Sequence, residues 1–290
     1  MIMTSPAQQL RELLTTDQCH IMPCCYDGLT AKMIEQAGFA LTFMSGFSVA
    51  AARLGLPDTG LISYGEMLDQ GKNICSAVSI PVIGDGDTGY GNAMNVYRTV
   101  KGYAQVGFAS VMIEDQVSPK RCGHTKGKLV VEQGEAFERV AAAVDARNEG
   151  QDILIMSRTD ARAVHGLDEA IVRGQKYAEL GADIIFIEAP ESVDEMKTIC
   201  KEVPGVQMAN IIDGGKTPVL SPEELHAIGF KIAAYPLTLI SAAMQAIEQS
   251  LQALQKGTQP SAIMAFDKVR KIVGFDDYYK EEERYSTSRR

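Results

Sequence analysis

Short apolar segments alternate eight times with longer amphipathic stretches, and this repetition limits the fold more than any other feature of the sequence. The short segments are rich in β-branched residues, which is typical of buried strands, and the longer stretches have helical periodicity. The predicted strands are His20–Cys24, Leu41–Met44, Pro81–Gly84, Ser110–Ile113, Ile153–Ser157, Ile184–Ile187, Gln207–Ala209 and Lys231–Ala234. Eight such units in one uninterrupted series favour a closed (β/α)8 TIM barrel of the α/β class over an open doubly wound sheet.

The helices that connect these strands have recognisable beginnings. Ser221 and Pro222 are followed by two glutamates, which places a capping residue, a first-turn proline and acidic residues in the order that starts a helix. The predicted helices begin near Leu29, Tyr64, Met94, Gln133, Asp168, Val193, Pro222 and Leu237.

The end of the chain does not fit a ninth unit. We therefore predict a barrel catalytic domain over residues 1–256 and a C-terminal helical extension of the same domain over residues 257–290. The extension is predicted to contain a helix over Ala262–Val273 and a charged tail over Lys280–Arg290. Such extensions pack on their own barrel or on a neighbouring subunit, so we expect an oligomer.

The composition restricts the kinds of partner. The chain has 290 residues, 46% of them hydrophobic, which is enough for a large core in one domain. Its net charge of −9 disfavours a nucleic-acid partner, which requires a basic face. The N-terminal residues 1–18 lack the patterns of signal and transit peptides, and polar residues interrupt the apolar run Ile232–Ile247. We expect a cytoplasmic protein with no membrane partner and with reduced cysteines.

Polar residues follow every predicted strand. In a (β/α)8 barrel these positions lie at the C-terminal face, where the active site is found, so eight polar positions in register predict one shared cleft. In strand order they are Tyr26 and Asp27, Ser45 and Gly46, Asp85 and Asp87, Glu114, Arg158, Glu188, Asn210, and Tyr235.

A metal site is predicted after the third strand. Asp85 and Asp87 are separated by one glycine, and glycines on both sides allow the backbone to approach a ligand closely. Asp58 and Glu114 could complete the site directly or through water. A hard-oxygen site of this kind suits Mg²⁺, or Mn²⁺, better than zinc. The alternative is that this segment is only a turn.

A reactive cysteine is predicted in the long insertion after Glu114. Cys122 follows Lys120 and Arg121 and precedes Gly123 and His124, and neighbouring cations lower the pKa of a thiol. The glycine suggests a loop that moves over the cleft. The alternative is an ordinary exposed loop in which the cysteine is incidental.

Carboxylate binding is predicted at two further positions. Arg158 follows the fifth strand, and its guanidinium offers two parallel donors to a carboxylate. A salt bridge to Asp160 or Glu188 is the structural alternative, and it can coexist with substrate binding. The glycine-rich segment between Asn210 and Thr217 provides donors for a second carboxylate.

These motifs together resemble the isocitrate lyase and phosphoenolpyruvate mutase superfamily from about Gln9 to about Gly257. The segment from Lys120 to His124 is similar to the specific signature of the lyase branch. The other matching segments are 85–87, 114–116, 158–161 and 214–218. The resemblance implies a magnesium-dependent barrel whose final helix is swapped between subunits, giving a homotetramer built as a dimer of dimers.

The resemblance also implies an activity. Bond-cleaving members carry the cysteine at position 122, so carbon–carbon cleavage is expected. Met112 stands where isocitrate and methylisocitrate lyases have a histidine, which disfavours a tricarboxylate substrate. Segments 44–49 and 84–89 look most like the 2,3-dimethylmalate lyase and petal death protein group, which cleaves 2-alkylmalates. Pro236 resembles these lyases more than the oxaloacetate hydrolases. The expected partner is therefore a small dicarboxylate.

Site roles follow from the resemblance and the motifs together. The expected catalytic residues are Cys122, Arg158, Glu188 and His124, with Cys122 as the acid that protonates the leaving enolate. The expected substrate-binding residues are Tyr26, Ser45, Gly46, Phe47, Gly123, Asn210 and Thr217. Tyr26, Glu188 and a metal-bound water are all candidates for the base.

Three enzymatic alternatives share this barrel: carboxyphosphonoenolpyruvate mutase, oxaloacetate hydrolase and methylisocitrate lyase. A non-catalytic barrel that binds metabolites or acts as a scaffold is a fourth interpretation. It would predict decay of the acidic cluster or of the loop cysteine, and the sequence retains both.

Overall fold

The computed structural model describes residues 4–122 and 127–285, and it contains a closed barrel of eight parallel strands. Each strand pairs with the next along the chain, and the eighth pairs with the first through His20 opposite Ile232. The predicted barrel is confirmed. The strands are β1 (His20–Cys25), β2 (Thr42–Met44), β3 (Val82–Asp85), β4 (Ser110–Glu114), β5 (Leu154–Thr159), β6 (Ile184–Ile187), β7 (Val206–Asn210) and β8 (Phe230–Tyr235).

Helices follow the strands around the barrel, and those predicted between the strands begin within about one residue of the expected position. The helix predicted over Ala262–Val273 begins later, at Phe266. The helices are α1 (Pro6–Leu14), α2 (Gly28–Gln36), α3 (Gly46–Val49), α4 (Tyr64–Cys75), α5 (Ala93–Val106), α6 (Gln133–Asn148), α7 (Ala161–His165), α8 (Leu167–Leu180), α9 (Val193–Glu202), α10 (Pro222–Ile228), α11 (Thr238–Gln255), α12 (Phe266–Val273) and α13 (Phe275–Tyr285). The sequence pattern does not predict the short helices α3 and α7, and α3 continues into a π-helical turn over Ala50–Leu54.

Local sequence explains several helix starts. The Ser221 hydroxyl accepts a hydrogen bond from the Glu224 amide, and the Glu224 carboxylate accepts one from the Ser221 amide, so the predicted start of α10 is a capping box. Asp27, which follows β1, forms a capping box at the start of α2 with Thr30. The side chain of Asp27 therefore stabilises a helix terminus.

The chain divides into two compact units, Met1–Leu239 and Ile240–Arg290. The second unit contains most of α11 with α12 and α13, and Lys280 belongs to α13 rather than to a charged tail. The predicted boundary near residue 256, the helix swap and the homotetramer stay predictions. Within the described ranges, no helix is both long enough and apolar enough to span a bilayer. The cytoplasmic location also stays a prediction.

Alternating side chains of the strands divide the core into two layers. One cluster fills the barrel and includes Met22, Ile83 and Ile232, all of them fully buried. Ala7 and Leu10 of α1 belong to this cluster, so the N-terminal helix packs at one end of the barrel. Two further clusters lie between the strands and the surrounding helices. Space for a ligand is therefore left at the carboxyl ends of the strands.

Candidate active site

A cleft of about 570 Å³, including its opening to solvent, lies at the carboxyl ends of the strands. Its polar lining residues are Ser45, Asp58, Asp85, Lys120, Cys122, Arg158, Glu188 and Asn210. Its apolar lining residues are Phe43, Phe47, Met112, Phe186, Met208, Ile212, Ala234, Pro236 and Leu237. The structure thus brings together side chains from almost every strand.

Asp85 is held at the end of β3 by two backbone amides. The Gly46 N–H donates to Asp85 Oδ2 at 3.1 Å, and the Asp87 N–H donates to Oδ1 at 3.0 Å. A Cβ at position 46 would lie only 2.5 Å from Oδ2, so only glycine allows this approach. Asp87 itself has φ of 49°, a left-handed conformation that aspartate tolerates better than most residues.

Lys120 occupies the position between two of the predicted metal ligands. Its Nζ lies 2.8 Å from Oδ1 of Asp58 and 2.8 Å from Oδ1 of Asp87, and all three side chains are almost fully buried. Burial raises the pKa of Asp87 to about 6, although Lys120 opposes the increase. Burial also raises the pKa of Glu114 well above its usual value, against the opposing effect of Arg158 and Lys120.

The donor chemistry of this region fits a divalent cation. Among the described residues around the cleft, three cations, Lys120, Lys128 and Arg158, face six buried carboxylates. The carboxylates are Asp58, Asp85, Asp87, Glu114, Asp160 and Glu188. This excess of hard-oxygen groups suits Mg²⁺, which prefers such ligands. As placed, the described residues form no group of three or more acidic, histidine or cysteine ligands arranged around a metal.

Arg158 lies at the centre of a second cluster of charges. It contacts Asp160 through Nε at 2.9 Å and NH2 at 3.2 Å, Glu188 through NH2 at 3.1 Å, and Glu114 through Nε at 3.3 Å. Its guanidinium also lies 5.4 Å from the centre of the Phe186 ring. The salt bridges considered as the alternative for Arg158 are present, and Arg158 still lines the cleft.

Asp160 is a strongly ionised carboxyl of this cluster. Burial alone would raise its pKa, but Arg158 and Lys128 outweigh that effect and hold its pKa at about 2. Lys128 Nζ lies 2.6 Å from Asp160 Oδ1. Since both partners are buried, Asp160 remains a fixed negative charge beside Arg158.

A buried network behind β4 and β5 supports this arrangement. Asp115 accepts hydrogen bonds from the Thr159 hydroxyl at 2.6 Å, the Asp160 amide at 2.9 Å, Arg173 NH1 at 3.0 Å and the Tyr177 hydroxyl at 3.0 Å. These contacts fix the backbone that carries Arg158 and Asp160. No sequence pattern indicates this network, because its members are separated by up to 62 residues.

The predicted substrate-binding residues differ in position. Ser45, Phe47 and Asn210 line the cleft, and Asn210 Nδ2 donates to Glu188 Oε2 at 3.1 Å. Tyr26 and Thr217 do not line it. Thr217 is nevertheless buried, and its hydroxyl has no hydrogen-bond partner among the described residues. Gly46 contributes through its amide contact with Asp85.

The predicted cysteine lies at the cleft. Cys122 is half-buried, and it lines the cleft beside Lys120. The predicted site residues Gly123 and His124 lie outside the described residues, so their expected roles stay predictions. The other five cysteines lie in buried or helical segments, and burial raises the pKa of each.

Sequence patterns assign no binding role to several residues that line the cleft. For Lys120 they predict only activation of the thiol, and its contact with Asp58 spans 62 residues. Phe43, Phe186 and Met208 carry no motif of their own. A signal for them is nevertheless present, because each lies two residues before a polar residue that also faces the cleft, namely Ser45, Glu188 and Asn210.

A closed barrel whose cleft at the carboxyl ends of the strands is lined by buried carboxylates, Arg158 and Cys122 has the architecture of (β/α)8 enzymes. Within that class, residues 10–255 match the phosphoenolpyruvate phosphomutase family. The chain therefore belongs to this family, and it is an enzyme of the phosphoenolpyruvate mutase and isocitrate lyase superfamily.

Relatives with several activities resemble the chain. The 2,3-dimethylmalate lyase of Eubacterium barkeri is 42% identical over 98% of this chain and 99% of its own. The 2-methylisocitrate lyase of Aeropyrum pernix is 37% identical over 96% of this chain and 90% of its own. The solved structure of oxaloacetate acetylhydrolase with 3,3-difluorooxalacetate covers 99% of both chains, with a TM-score of 0.94 and 31% identity. These relatives are named for different substrates.

A further solved structure bears on the metal. Phosphonopyruvate hydrolase, solved as a complex with oxalate and Mg²⁺, covers 97% of this chain and 99% of its own with a TM-score of 0.86 and 29% identity. That relative binds Mg²⁺ together with a small dicarboxylate.

Proposed function

We propose that the protein is a magnesium-dependent carbon–carbon lyase that cleaves a 2-alkylmalate, such as 2,3-dimethylmalate, to pyruvate and a short carboxylic acid. The observation that carries this proposal is the composition of the cleft. It combines a thiol, an arginine and several carboxylates with an apolar surface that makes up about half of the lining residues. The similarity to 2,3-dimethylmalate lyase supports the same substrate class.

The buried cations of the cleft favour a substrate with two carboxylates over a substrate with three. Arg158 is already paired with Asp160 and Glu188, and Lys120 with Asp58 and Asp87. A third substrate carboxylate would need a further buried cation to offset its desolvation. The cleft lining contains no such residue within the described ranges. This argues against isocitrate and methylisocitrate.

The apolar wall supports alkyl substituents on the substrate. The Phe186 ring lies against Arg158, and Met112, Phe47 and Leu237 also line the cleft. Burial of a methyl group against such side chains contributes ~0.8 kcal/mol. A carboxylate placed there would lose its hydration without gaining a partner.

The residues that would hold Mg²⁺ are Asp85, Asp87, Asp58 and Glu114. When bound, the metal would polarise the substrate's hydroxyl and adjacent carboxylate and so make the hydroxyl easier to deprotonate. Gly46 keeps Asp85 oriented for this purpose, since its amide holds one carboxylate oxygen.

Two side chains of the protein would complete the reaction by proton transfer. One would accept a proton from the substrate, and the other would donate a proton to it. Glu188 is the base favoured by the structure, because it lines the cleft and Tyr26 does not. It would take the proton of the C2 hydroxyl. The C2–C3 bond then breaks, the hydroxyl oxygen becomes the carbonyl of the keto acid, and the electron pair moves to C3 and its carboxylate. Cys122 would give its proton to C3 of this enolate. Arg158 would hold a substrate carboxylate during these steps.

A coupled pyruvate assay with Mg²⁺ tests the proposal. The panel contains 2,3-dimethylmalate, other 2-alkylmalates, 2-methylisocitrate, isocitrate and oxaloacetate. We expect pyruvate from the alkylmalates and none from methylisocitrate. Oxalate and acetate from oxaloacetate would indicate a hydrolase instead, and a new phosphorus signal in ³¹P NMR with a phosphonate substrate would indicate a mutase. Either result, without alkylmalate cleavage, contradicts the proposal.

A further inference from the structure

The side chain of Gln116 forms two hydrogen bonds with the backbone of Arg121, the residue before Cys122. Its Oε1 accepts from the Arg121 N–H at 3.0 Å, and its Nε2 donates to the Arg121 carbonyl at 2.9 Å. The side-chain amide thus binds both polar groups of one residue, as a neighbouring strand would. Gln116 is only 1% exposed, so water does not compete for these bonds.

The same amide connects the cysteine segment to Asp160. Gln116 Nε2 lies 3.3 Å from Asp160 Oδ2, and that carboxylate also binds Arg158 and, through Oδ1, Lys128. Arg121 precedes Cys122 and Lys128 follows it. Asp160 is therefore linked to the chain on both sides of the thiol, once through Gln116 and once directly.

Gln116 itself is fixed to the barrel. Arg139 NH1 donates to the Gln116 carbonyl at 2.9 Å, and Gln116 forms an antiparallel bridge with Val130. The neighbouring Val117 N–H donates to the Leu129 carbonyl at 2.9 Å. Because the backbone of Gln116 is held on both sides, its side chain can fix Arg121 relative to β4.

We propose that Gln116 is a positioning residue that sets the location of the Cys122 thiol relative to Arg158. It acts through the backbone of Arg121 and through Asp160, and it does not touch the substrate. The proposal rests on the proposed role of Cys122 as the acid in the lyase reaction. Without the Gln116 amide, the position of the Cys122 thiol relative to Arg158 would no longer be fixed.

The test uses Gln116→Met, which keeps the size of the side chain and removes its hydrogen bonds. Gln207→Met is the matched control, because Gln207 is a buried glutamine of β7 that does not line the cleft. The first readout is the rate at which iodoacetamide modifies Cys122, resolved by peptide mass spectrometry. We expect Gln116→Met to speed this reaction by about tenfold, since lost hydrogen bonds release the thiol to solvent. The other five cysteines should keep their wild-type rates.

A second readout separates positioning from stability. The turnover number of Gln116→Met should fall at least tenfold while KM changes by less than about threefold, as expected when only a transition-state contact is displaced. Gln116→Asn keeps both hydrogen-bonding groups on a shorter side chain and should fall between wild type and Gln116→Met in both readouts. If Gln116→Met does not fold, Gln116→Asn decides the question.

An unchanged Cys122 rate in Gln116→Met, or equal acceleration at all six cysteines, would overturn the proposal. It would also be overturned if Gln207→Met reproduced the effect. Failure of the lyase assignment is a separate result: wild-type protein would then cleave no alkylmalate, while the Cys122 modification rates would still report on positioning.

Discussion

Replacement of Gly46 by alanine should remove most activity by displacing Asp85 alone. The Cβ of alanine would lie 2.5 Å from Asp85 Oδ2 and 3.1 Å from its carboxyl carbon. Ordinary contacts to a Cβ begin at 3.4 Å. The carboxylate must therefore move by roughly 1 Å, and a displacement of this size in an active site costs about a hundredfold in rate.

The expected loss can also be calculated from the hydrogen bond. The Gly46 N–H donates to Oδ2 at 3.1 Å, and a bond to a charged group contributes ~1.5–3 kcal/mol. This corresponds to roughly 10- to 100-fold in an equilibrium constant. The displacement and the lost hydrogen bond both predict a fall in kcat/KM of up to about a hundredfold, together with Mn²⁺ binding weakened about tenfold or more.

Gly65→Ala is the matched control, because Gly65 lies near the start of α4 and a Cβ there meets nothing within 4 Å. This variant should keep its activity, and its stability should be unchanged or slightly higher, since alanine in a helix is favoured over glycine by ~0.5–1 kcal/mol. Activity is measured by the coupled pyruvate assay and Mn²⁺ affinity by electron paramagnetic resonance of the free ion. Gly46→Ala with kcat/KM and Mn²⁺ affinity within threefold of wild type would refute this explanation of Gly46.

Three further predictions concern the thiols and the buried network. Cys122→Ser should bind substrate normally and lose turnover by about two to four orders of magnitude, the usual contribution of a general acid; near-wild-type turnover would exclude Cys122 as the acid. Arg173→Met should lower the free energy of unfolding by about 3 kcal/mol, because it leaves the buried Asp115 without its cation; a loss below about 1 kcal/mol in urea denaturation would show that hydrogen bonds suffice. Burial raises the pKa of Cys19 to about 11, so its alkylation should accelerate about tenfold for each pH unit from roughly 8 to 10, as its reactive thiolate accumulates; a pH-independent rate would contradict this.

Most of the barrel could be predicted from the sequence because strand burial leaves a direct signature. Every predicted strand is present, and several strands end one or two residues later than predicted, as with Asp85 and Glu114. These extensions carry polar residues, which the apolar pattern excludes by definition. The short helix α3 has no such signature, because Gly46 and Ser48 interrupt any apolar period and its start is stabilised by Ser45 as cap.

The types of residue in the cleft could be predicted from the sequence. The contacts between their side chains could be predicted only in part. Polar residues at strand ends could be placed in one cleft, because barrel geometry makes those positions neighbours. The pairing of Lys120 with Asp58 could not, since it joins a loop after β4 to a loop after β2. The bonds from Gln116 to Arg121 were equally hidden, because they depend on how one loop returns to its own strand.

Selection of an alkylated dicarboxylate by the cleft is tested most directly by comparing two substrates under the same conditions. Purified protein with Mg²⁺ is assayed for pyruvate with 2,3-dimethylmalate and with 2-methylisocitrate. The proposed function predicts pyruvate from the first and at least a hundredfold lower kcat/KM with the second, because burying a third carboxylate without a partner costs at least ~3 kcal/mol. Equal or faster cleavage of 2-methylisocitrate would contradict this selectivity and the charge count on which it rests.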